Sequence, residues 1–404
     1  MNYQDDGQIF PYFQPVLSAD TGKIYSYEVL GRYNGTDGQV CSLGSFFEDN
    51  ATTNEDALAV DRKIRRLAME QFARENNGEF LFINIRLQWL ISYSDRLESM
   101  PTLTWAKEFK IPPEKLVIEI TEDEFNEDSE PYLKVLHYYK ENGCKIAIDD
   151  YGKGASNIDR LAQIRPDIMK IDMDYVHRAE NSFHHYEYLK SIAAFAENVG
   201  IEVLYEGIET KRQLEICMDS QGKYYQGFLL SRPGPSIAAA QADQKLFATK
   251  FDNFVTKFRK NVVNTNHLRD VFETRIWKYI SETPPPVDGN EIANVDNYLE
   301  TLLRSLPENV KRVYLCNHQG IQLSHNIERT HGEISLLDYR NKNWAWRGYF
   351  QKALAVYESG RKSCITDIYR DVTTKELIFT FSYLDLPGCF LFIDIQDTLN
   401  KEGQ

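Results

Sequence analysis

A repeated pattern of short apolar runs, each reaching a polar residue, fills the chain from its N-terminus to about Pro235. The runs are rich in Ile, Val, Leu, Phe and Tyr, as strands buried on both faces are. Segments between them, including 56–73, 187–199 and 210–218, repeat apolar residues at helical spacing. Pairing a strand with a helix about eight times predicts an α/β fold, a TIM-like (β/α)₈ barrel of about 250 residues. A doubly wound open sheet is the alternative, but no glycine-rich phosphate-binding motif follows the first run.

The polar residues that close these runs indicate where a site lies. Active sites of such barrels form at the C-terminal ends of the strands, so we expect these side chains to meet at one mouth. Carboxylates, amides and a lysine, without histidine or cysteine, suit Mg²⁺ or Mn²⁺ better than zinc. Any one of them alone is more often a helix cap or a solvent-facing residue, but that explanation is weak for all eight together. In chain order they are Gln14, Glu28, Asn84, Glu119, Asp149, Lys170, Glu206 and Gln226.

Two of the carboxylates, Asp149 and Asp150, are adjacent in the sequence. Neighbouring strand residues face opposite sides, so two ligands in a row are expected only where a strand ends and a turn redirects the second. The glycines at 152 and 154 supply the flexibility for such a turn. Carboxylates so close repel each other unless cations neutralise them, which predicts a two-metal site. An isolated Asp-Asp-Tyr-Gly is otherwise more often a solvated turn.

Seven short motifs, in this order and spacing, resemble the EAL domain, a cyclic di-GMP-specific phosphodiesterase family. Each motif alone is a weak signal, but together they cover about the first 240 residues. They are Glu28-Val29-Leu30 within YEVLGR, FINI around Asn84, IEITE at Glu119 to Glu122, DDYGKGASN from Asp149, PDIMKID ending at Asp172, YEGIET around Glu206, and YYQGFLLSRP around Gln226.

The resemblance implies a metal-dependent hydrolase that opens cyclic di-GMP to linear pGpG with two divalent cations, Mg²⁺ or Mn²⁺. Glu206 is then the general base, and Lys170 helps to hold the attacking water and the developing charge. The implied ligands of the first cation are Glu28, Asn84, Glu119 and Asp149, and those of the second are Asp149, Asp150 and Glu206.

Further positions match family residues that contact the substrate or order a loop. Arg32, four residues after Glu28, corresponds to an arginine that grips a substrate phosphate. Glu122 corresponds to a glutamate that ties down the loop after Asp150, a role in loop order rather than chemistry. The other implied substrate-binding residues are Gln14, Asp172 and Gln226.

The chain also departs from the family pattern without losing a metal ligand. Arg86 stands where many relatives carry a small serine, and Tyr205 replaces an alanine just before Glu206. Lys153 and Ala155 replace a threonine and an aromatic residue in the loop after Asp150. We expect these changes to affect the turnover rate and the order of that loop.

The rest of the chain predicts a helical linker over 241–286, ended by three prolines, and a second domain over 287–404. Its strand-like segments predict an α+β fold similar to PAS or Cache sensory domains. The aromatic segment 344–350 and the two-domain layout resemble EAL proteins of the YkuI type. Arg347 in that segment is the candidate contact for an unknown small ligand or protein, although core packing is the simpler explanation for the aromatics.

Composition narrows the class of partner. The formal net charge of −14 argues against binding to nucleic acid or an anionic membrane surface. Six scattered cysteines, and no apolar run near the roughly 20 residues that cross a bilayer, favour a cytoplasmic protein with reduced thiols. We also expect a homodimer. Two other functions stay open, namely a catalytically weak cyclic di-GMP receptor and a metalloenzyme that acts on another phosphate ester.

Overall fold

The computed structural model describes residues 9–35, 38–48, 52–121, 130–152, 158–286, 292–330 and 332–397. The chain forms two compact units, Met1–Val255 and Thr256–Gln404. Over the described residues, no helix has both the length and the apolar character needed to cross a membrane.

The first unit contains a closed barrel of eight strands over its described residues, with one short strand added outside β2. Neighbouring strands from β2 round to β9 are parallel, whereas β1 is antiparallel to both β2 and β9, between which it closes the barrel. The predicted barrel is confirmed, with one strand reversed. The strands are β1 Ile9–Ser18, β2 Ile24–Asn34, β3 Val40–Ser42 (outside the barrel), β4 Phe80–Asn84, β5 Leu116–Thr121, β6 Lys145–Tyr151, β7 Ile168–Ile171, β8 Glu202–Tyr205 and β9 Tyr224–Tyr225.

Helices cover the outside of the barrel. In α2, the Thr53 side chain caps the first turn by accepting from the Asp56 amide, and residues at helical spacing, such as Ile64, Ala68 and Phe72, are buried. The helices are α1 Gly44–Glu48, α2 Asn54–Glu75, α3 Leu87–Leu90, α4 Pro101–Phe109, α5 Glu130–Glu141, α6 Ile158–Ile164, α7 Met173–Ala179, α8 Phe183–Val199, α9 Lys211–Asp219 and the first part of α10 Gln244–Glu282.

Strand alternation divides the barrel interior into an apolar and a polar layer. Intervening residues such as Ile83, Ile118 and Val203 face outward and pack against the helices. The buried apolar layer consists of Val16, Phe82, Val117, Ala147, Ile168, Leu204 and Tyr224. Two residues along the chain from these positions, on the same face, lie Gln14, Asn84, Glu119, Asp149 and Lys170 within their strands and Glu206 and Gln226 directly after theirs.

The second unit is built on an antiparallel sheet in the order β12-β11-β10-β16-β15-β13, with β14 also paired to β15. The end of α10 and helix α11 pack on one face, and α12 packs on the other. The predicted α+β class is confirmed for this unit. Its elements are α11 Ile292–Ser305, β10 Val310–Asn317, β11 Asn326–Thr330, β12 Glu333–Leu337, α12 Gly348–Glu358, β13 Ser363–Ile365, β14 Tyr369–Arg370, β15 Leu377–Leu386 and β16 Cys389–Gln396.

One largely buried arginine forms ion pairs with three parts of this sheet. The Arg312 guanidinium on β10 lies 2.6 Å from Glu328 on β11, 3.1 Å from Asp394 on β16 and 3.0 Å from Asp371 after β14. Burial raises the pKa of Asp394, and the Arg312 charge opposes that effect. A carboxylate buried this deeply needs its partner, because an unpaired buried charge is strongly destabilising.

We expect Arg312→Met to destabilise the second unit by about 3–5 kcal/mol, since it leaves Asp394 buried without its counter-ion. The matched control is Arg304→Met, which removes an exposed pair with Glu300 on α11 and is expected to cost only about 0.5 kcal/mol. Calorimetric unfolding of both variants checks this. Equal losses in the two variants would show that the buried cluster contributes no more than a surface pair.

Candidate active site

The eight polar residues of the repeated pattern come together at one mouth of the barrel. Asn84 ends β4, and Glu206 and Gln226 directly follow β8 and β9, as the pattern predicts. Gln14 and Glu28 instead lie within their strands, directly opposite each other in the β1–β2 pair. Because β1 is antiparallel to its neighbours, its N-terminal half lies at the mouth, so a mid-strand residue reaches the site.

Lys170 is the centre of this group. Its ammonium lies 2.6 Å from Glu119, 2.7 Å from Glu206, 2.9 Å from Asp149 and 3.5 Å from Glu28. The side chain is only 1% exposed. Burial alone would lower the pKa of Lys170, but the carboxylates, Asp149 first among them, raise it well above its ordinary value. The lysine is therefore a fixed positive charge.

The carboxylates around Lys170 differ in the hydrogen-bond donors that they contact. Glu28 accepts hydrogen bonds from Asn84 Nδ2 at 3.3 Å and from Gln226 Nε2 at 2.5 Å. Glu119 is fully buried, and its Oε2 has no hydrogen-bond donor among the described residues. Burial raises the pKa of Glu119 and of Glu206 well above their ordinary values, although Lys170 opposes this.

A β-bulge presents Asp149 and Asp150 together. The pairing of β6 with β7 shifts between Ile148 and Tyr151, so that two residues of β6 stand where β7 has only Lys170. Asp150 has a left-handed φ of 56°. The expectation that the strand ends at this pair and that a glycine turn redirects Asp150 is therefore wrong. Strand β6 continues to Tyr151, and the extra residue of the bulge changes the direction of the side chain.

The site has the donor set of a divalent cation site. Carboxylate oxygens of Asp149, Asp150 and Glu206 lie within 4.8 Å of one another. With Glu28 and Glu119 there are five carboxylates around one ammonium group, and one buried oxygen of Glu119 has no donor within the described chain. Such an excess of oxygen ligands and negative charge fits Mg²⁺ or Mn²⁺.

Two cavities with different charge meet at Asp149. The acidic lobe, of about 320 Å³, is lined by Glu28, Asp149, Asp150, Lys170, Asp172, Asp174, Glu206 and Glu209, with Gln14, Gln226 and Phe228. The second cavity, of about 490 Å³, is lined by Arg32, Arg65 and Arg86 and also by Asp61, Glu119 and Asp149. Because Asp61 is paired with Arg65, we call this cavity the basic lobe for the guanidinium groups of Arg32 and Arg86. An elongated anionic ligand can therefore place one part at the carboxylates and another at the guanidinium groups.

Arg86 lines the basic lobe, but the sequence analysis named it only as a departure from the EAL pattern. Its guanidinium lies over the rings of Phe47 at 5.6 Å and Trp89 at 5.3 Å and donates to the Phe47 carbonyl oxygen at 2.7 Å. Arg32 lies over the Tyr12 ring at 5.7 Å and donates to the Gly31 carbonyl oxygen. The strand-end pattern misses Arg86 because it lies two residues beyond β4.

Five other positions named in the sequence analysis have different outcomes. Asp172 is buried and caps α7 by accepting from the Asp174 amide at 2.8 Å, which is a structural role in addition to lining the acidic lobe. The Tyr205 side chain faces outward and donates to the Ser220 carbonyl oxygen at 3.1 Å, so it lies away from the barrel interior that Glu206 faces. Glu122, Lys153 and Ala155 lie outside the described residues.

The barrel and its acidic mouth define a class of protein that comparison with known families identifies. Residues 2–233 match the EAL domain, and residues 239–402 match the EAL-domain associated signalling protein domain. The chain belongs to the EAL-domain family.

Individual relatives extend this result over both units. The chain is 33% identical to the EAL-domain containing protein YkuI of Bacillus subtilis over 389 residues, 96% of this chain and 94% of YkuI. The crystal structure of YkuI in complex with its substrate c-di-GMP and calcium matches with a TM-score of 0.86 at 32% identity, covering 98% of each chain.

Other relatives share the EAL barrel. The cyclic di-GMP phosphodiesterase RocR of Pseudomonas aeruginosa is 27% identical over 234 residues, 57% of this chain and 59% of RocR. The manganese and cyclic di-GMP complex of Klebsiella pneumoniae BlrP1 matches with a TM-score of 0.51 at 26% identity, covering 58% of each chain. Of these relatives, RocR is a cyclic di-GMP phosphodiesterase, and YkuI and BlrP1 have been crystallised with c-di-GMP and a divalent cation.

We expect Mg²⁺ or Mn²⁺ to raise the melting temperature of the barrel by roughly 5–10 °C at 100 times the dissociation constant, relative to Na⁺ at equal ionic strength. Asp150→Asn is expected to raise the melting temperature without cations, because it removes repulsion between the Asp150 carboxylate and those of Asp149 and Glu206. It is also expected to reduce the increase in melting temperature that the cations cause. Glu197→Gln, on the exposed surface of α8, is the control and should change neither. If neither cation changed the melting temperature of the wild-type protein, the candidate cation site would be contradicted.

Proposed function

We propose that this chain is a metal-dependent phosphodiesterase that hydrolyses cyclic di-GMP to linear pGpG. The observation that carries the proposal is the set of four carboxylates around the buried Lys170 at the barrel mouth, with Asp150 and Asn84 beside them. The RocR and YkuI relatives support the choice of substrate, because one is a cyclic di-GMP phosphodiesterase and the other has been crystallised with c-di-GMP.

Two groups of residues would hold two cations, Mg²⁺ or Mn²⁺. Glu28, Asn84, Glu119 and Asp149 form the proposed first group, and Asp149, Asp150 and Glu206 form the second. The cations would neutralise charge on the phosphodiester and lower the pKa of a bound water. The excess of buried carboxylate over ammonium supports this assignment.

The proposed chemistry of the chain's own groups is general base and electrostatic catalysis. Glu206 accepts a proton from the attacking water, and Lys170, 2.7 Å away, orients the carboxylate and opposes the effect of burial on its pKa. The Lys170 ammonium supplies fixed positive charge that stabilises the negative charge developing on the phosphate. Water oxygen forms the new bond to phosphorus while the bond to the 3′ oxygen breaks, and that oxygen takes up a proton from solvent water and is released as a hydroxyl group.

The basic lobe is the proposed contact for the remainder of the ligand. Arg32 and Arg86 supply guanidinium donors that match phosphate oxygens or the acceptor edge of guanine. Gln14, Asp172 and Gln226 line the acidic lobe and are proposed to position the nucleotide part beside the scissile bond.

The remaining proposals concern the whole chain. We keep the predicted domain limits of 240 and 286, a PAS- or Cache-like role for the second domain, and a cytoplasmic location. Arg347, whose guanidinium lies 5.2 Å from the Trp346 ring centroid, stays the candidate contact of the second domain with a small ligand or protein. We also propose a homodimer, which sedimentation showing only monomer at micromolar concentration would contradict.

Glu206→Gln is expected to reduce turnover of cyclic di-GMP by about 10²–10⁴-fold, because the general base is lost. The assay is chromatographic detection of pGpG in the presence of Mg²⁺ or Mn²⁺, with Glu197→Gln as the control that keeps wild-type activity. Tight binding of cyclic di-GMP by the wild-type protein without pGpG would make the protein a receptor. Hydrolysis of simple phosphodiesters without activity on cyclic di-GMP would indicate another substrate.

Arg86→Ser is expected to raise KM for cyclic di-GMP about ten-fold or more and to leave kcat within about two-fold, because charge-assisted contacts far from the scissile bond act on binding. Arg96→Ser is a closely matched control. Arg96 also donates to a backbone carbonyl oxygen and lies 5.0 Å from an aromatic ring centroid, but it does not line either lobe. Unchanged KM in Arg86→Ser would remove Arg86 from the proposed substrate contacts.

A further inference from the structure

Helix α7 contacts two separate loops, one after the Asp149–Asp150 pair and one after Glu206. Tyr175 donates its hydroxyl to the Gly152 carbonyl oxygen at 2.7 Å, two residues after Asp150. His177, two residues after Tyr175 on α7, forms a 2.8 Å hydrogen bond from Nε2 to the Gly207 carbonyl oxygen, one residue after Glu206. A carbonyl oxygen only accepts, so His177 Nε2 carries the hydrogen. One short helix therefore holds both loops.

Gly152 and Gly207 have backbone conformations and close contacts that depend on the absence of a side chain. Gly152 has φ +102°, and a Cβ added there would lie 2.8 Å from the Tyr175 ring. Gly207 has φ +60°, and a Cβ there would collide with the Met173 side chain. Both backbones combine a left-handed conformation with close contact to α7, so each loop fits against the helix in one arrangement.

Helix α7 is itself fixed at both ends. Asp172 caps its N-terminus, and Glu180, directly after its C-terminus, accepts from Thr210 Oγ1 at 3.2 Å and from Gln213 Nε2 at 3.0 Å at the start of α9. The Tyr175 ring also packs on Tyr188 of α8, with centroids 4.9 Å apart. A helix anchored in this way is a rigid support rather than a passive neighbour of the loops.

We propose that Tyr175 and His177 are positioning residues that set the separation between the Asp149–Asp150 pair and Glu206. This inference rests on the proposed cation-binding function, because the separation matters only if these oxygens bind the same ion or ion pair. Neither side chain touches the carboxylates in the described contacts. Each acts through a backbone carbonyl within two residues of a carboxylate, and both act from one rigid helix.

The test is direct titration of the full-length protein with Mn²⁺, following the free-ion signal by electron paramagnetic resonance without substrate. Tyr175→Phe keeps the ring and removes the hydroxyl, and His177→Met removes the donor at similar volume. Each is expected to weaken Mn²⁺ binding about five-fold, the effect of one lost hydrogen bond. His177→Gln retains an amide donor and is expected to restore most of the affinity.

Activity supplies a second readout. Tyr175→Phe is expected to lower kcat at subsaturating Mn²⁺ with little change in KM for cyclic di-GMP, because the basic lobe is not altered. The control is Tyr186→Phe on α8, whose hydroxyl makes no hydrogen bond within the described residues and whose loss should not alter Mn²⁺ binding.

The outcomes separate this inference from the function on which it rests. Wild-type Mn²⁺ affinity in both Tyr175→Phe and His177→Met would overturn the positioning role while leaving the phosphodiesterase proposal intact. Failure of His177→Gln to bind Mn²⁺ more tightly than His177→Met would overturn the role of His177. A wild-type protein that binds no Mn²⁺ would overturn the proposed function and this inference together.

Discussion

The buried ammonium group of Lys170 is the charge on which the arrangement of the barrel mouth depends. Moving an ion out of water costs several kcal/mol even after relaxation, and only close, well-oriented partners offset that cost. Lys170 has four carboxylates within 3.5 Å, and those carboxylates in turn lack enough positive charge to be stable as anions without it. Burial, and to a smaller extent the neighbouring carboxylates, raise the pKa values of Glu119 and Glu206.

The position of Lys170 depends on the apolar layer beneath it. Each strand that contributes a polar residue to the mouth, except β2, contributes an apolar residue to the barrel interior two positions away. On β2 that place is taken by Ser26, which is small and fully buried. The packed layer excludes water from below, so the ion pairs of the mouth act in a medium of lower dielectric constant than water. A cavity in that layer would weaken the geometry of the site as well as the stability of the barrel.

The barrel and most of its site residues follow from the sequence, because period-two alternation and polar strand ends are local properties. The reversed direction of β1 is harder to predict from the sequence. Its apolar residue, Val16, comes after Gln14, whereas on the parallel strands the apolar residue comes before the polar one. That inverted order is a usable signal, but it is one residue pair in a strand that alternates weakly.

Other features depend on contacts that no single stretch of sequence contains. The bulge at Asp150 arises from the pairing of β6 with β7, and the basic lobe joins Arg32 on β2 to Arg86 beyond β4. The contacts of α7 link loops that are more than 50 residues apart. Periodicity identifies which face of a strand a residue occupies, but register shifts and loop contacts are decided by tertiary packing.

The bulge also shows what the site requires of the backbone. A non-glycine residue in the left-handed region costs of order 1 kcal/mol, less for aspartate than for most residues, because its short side chain tolerates that conformation. An unbulged β6 would avoid this cost but would send Asp149 and Asp150 to opposite faces, one of them into the apolar helix layer. Retaining both carboxylates at the mouth therefore requires the strained residue, and a strained residue persists only where the surrounding structure holds it. The hydrogen bond from Tyr175 to Gly152 lies where that support is needed, immediately beyond the bulge.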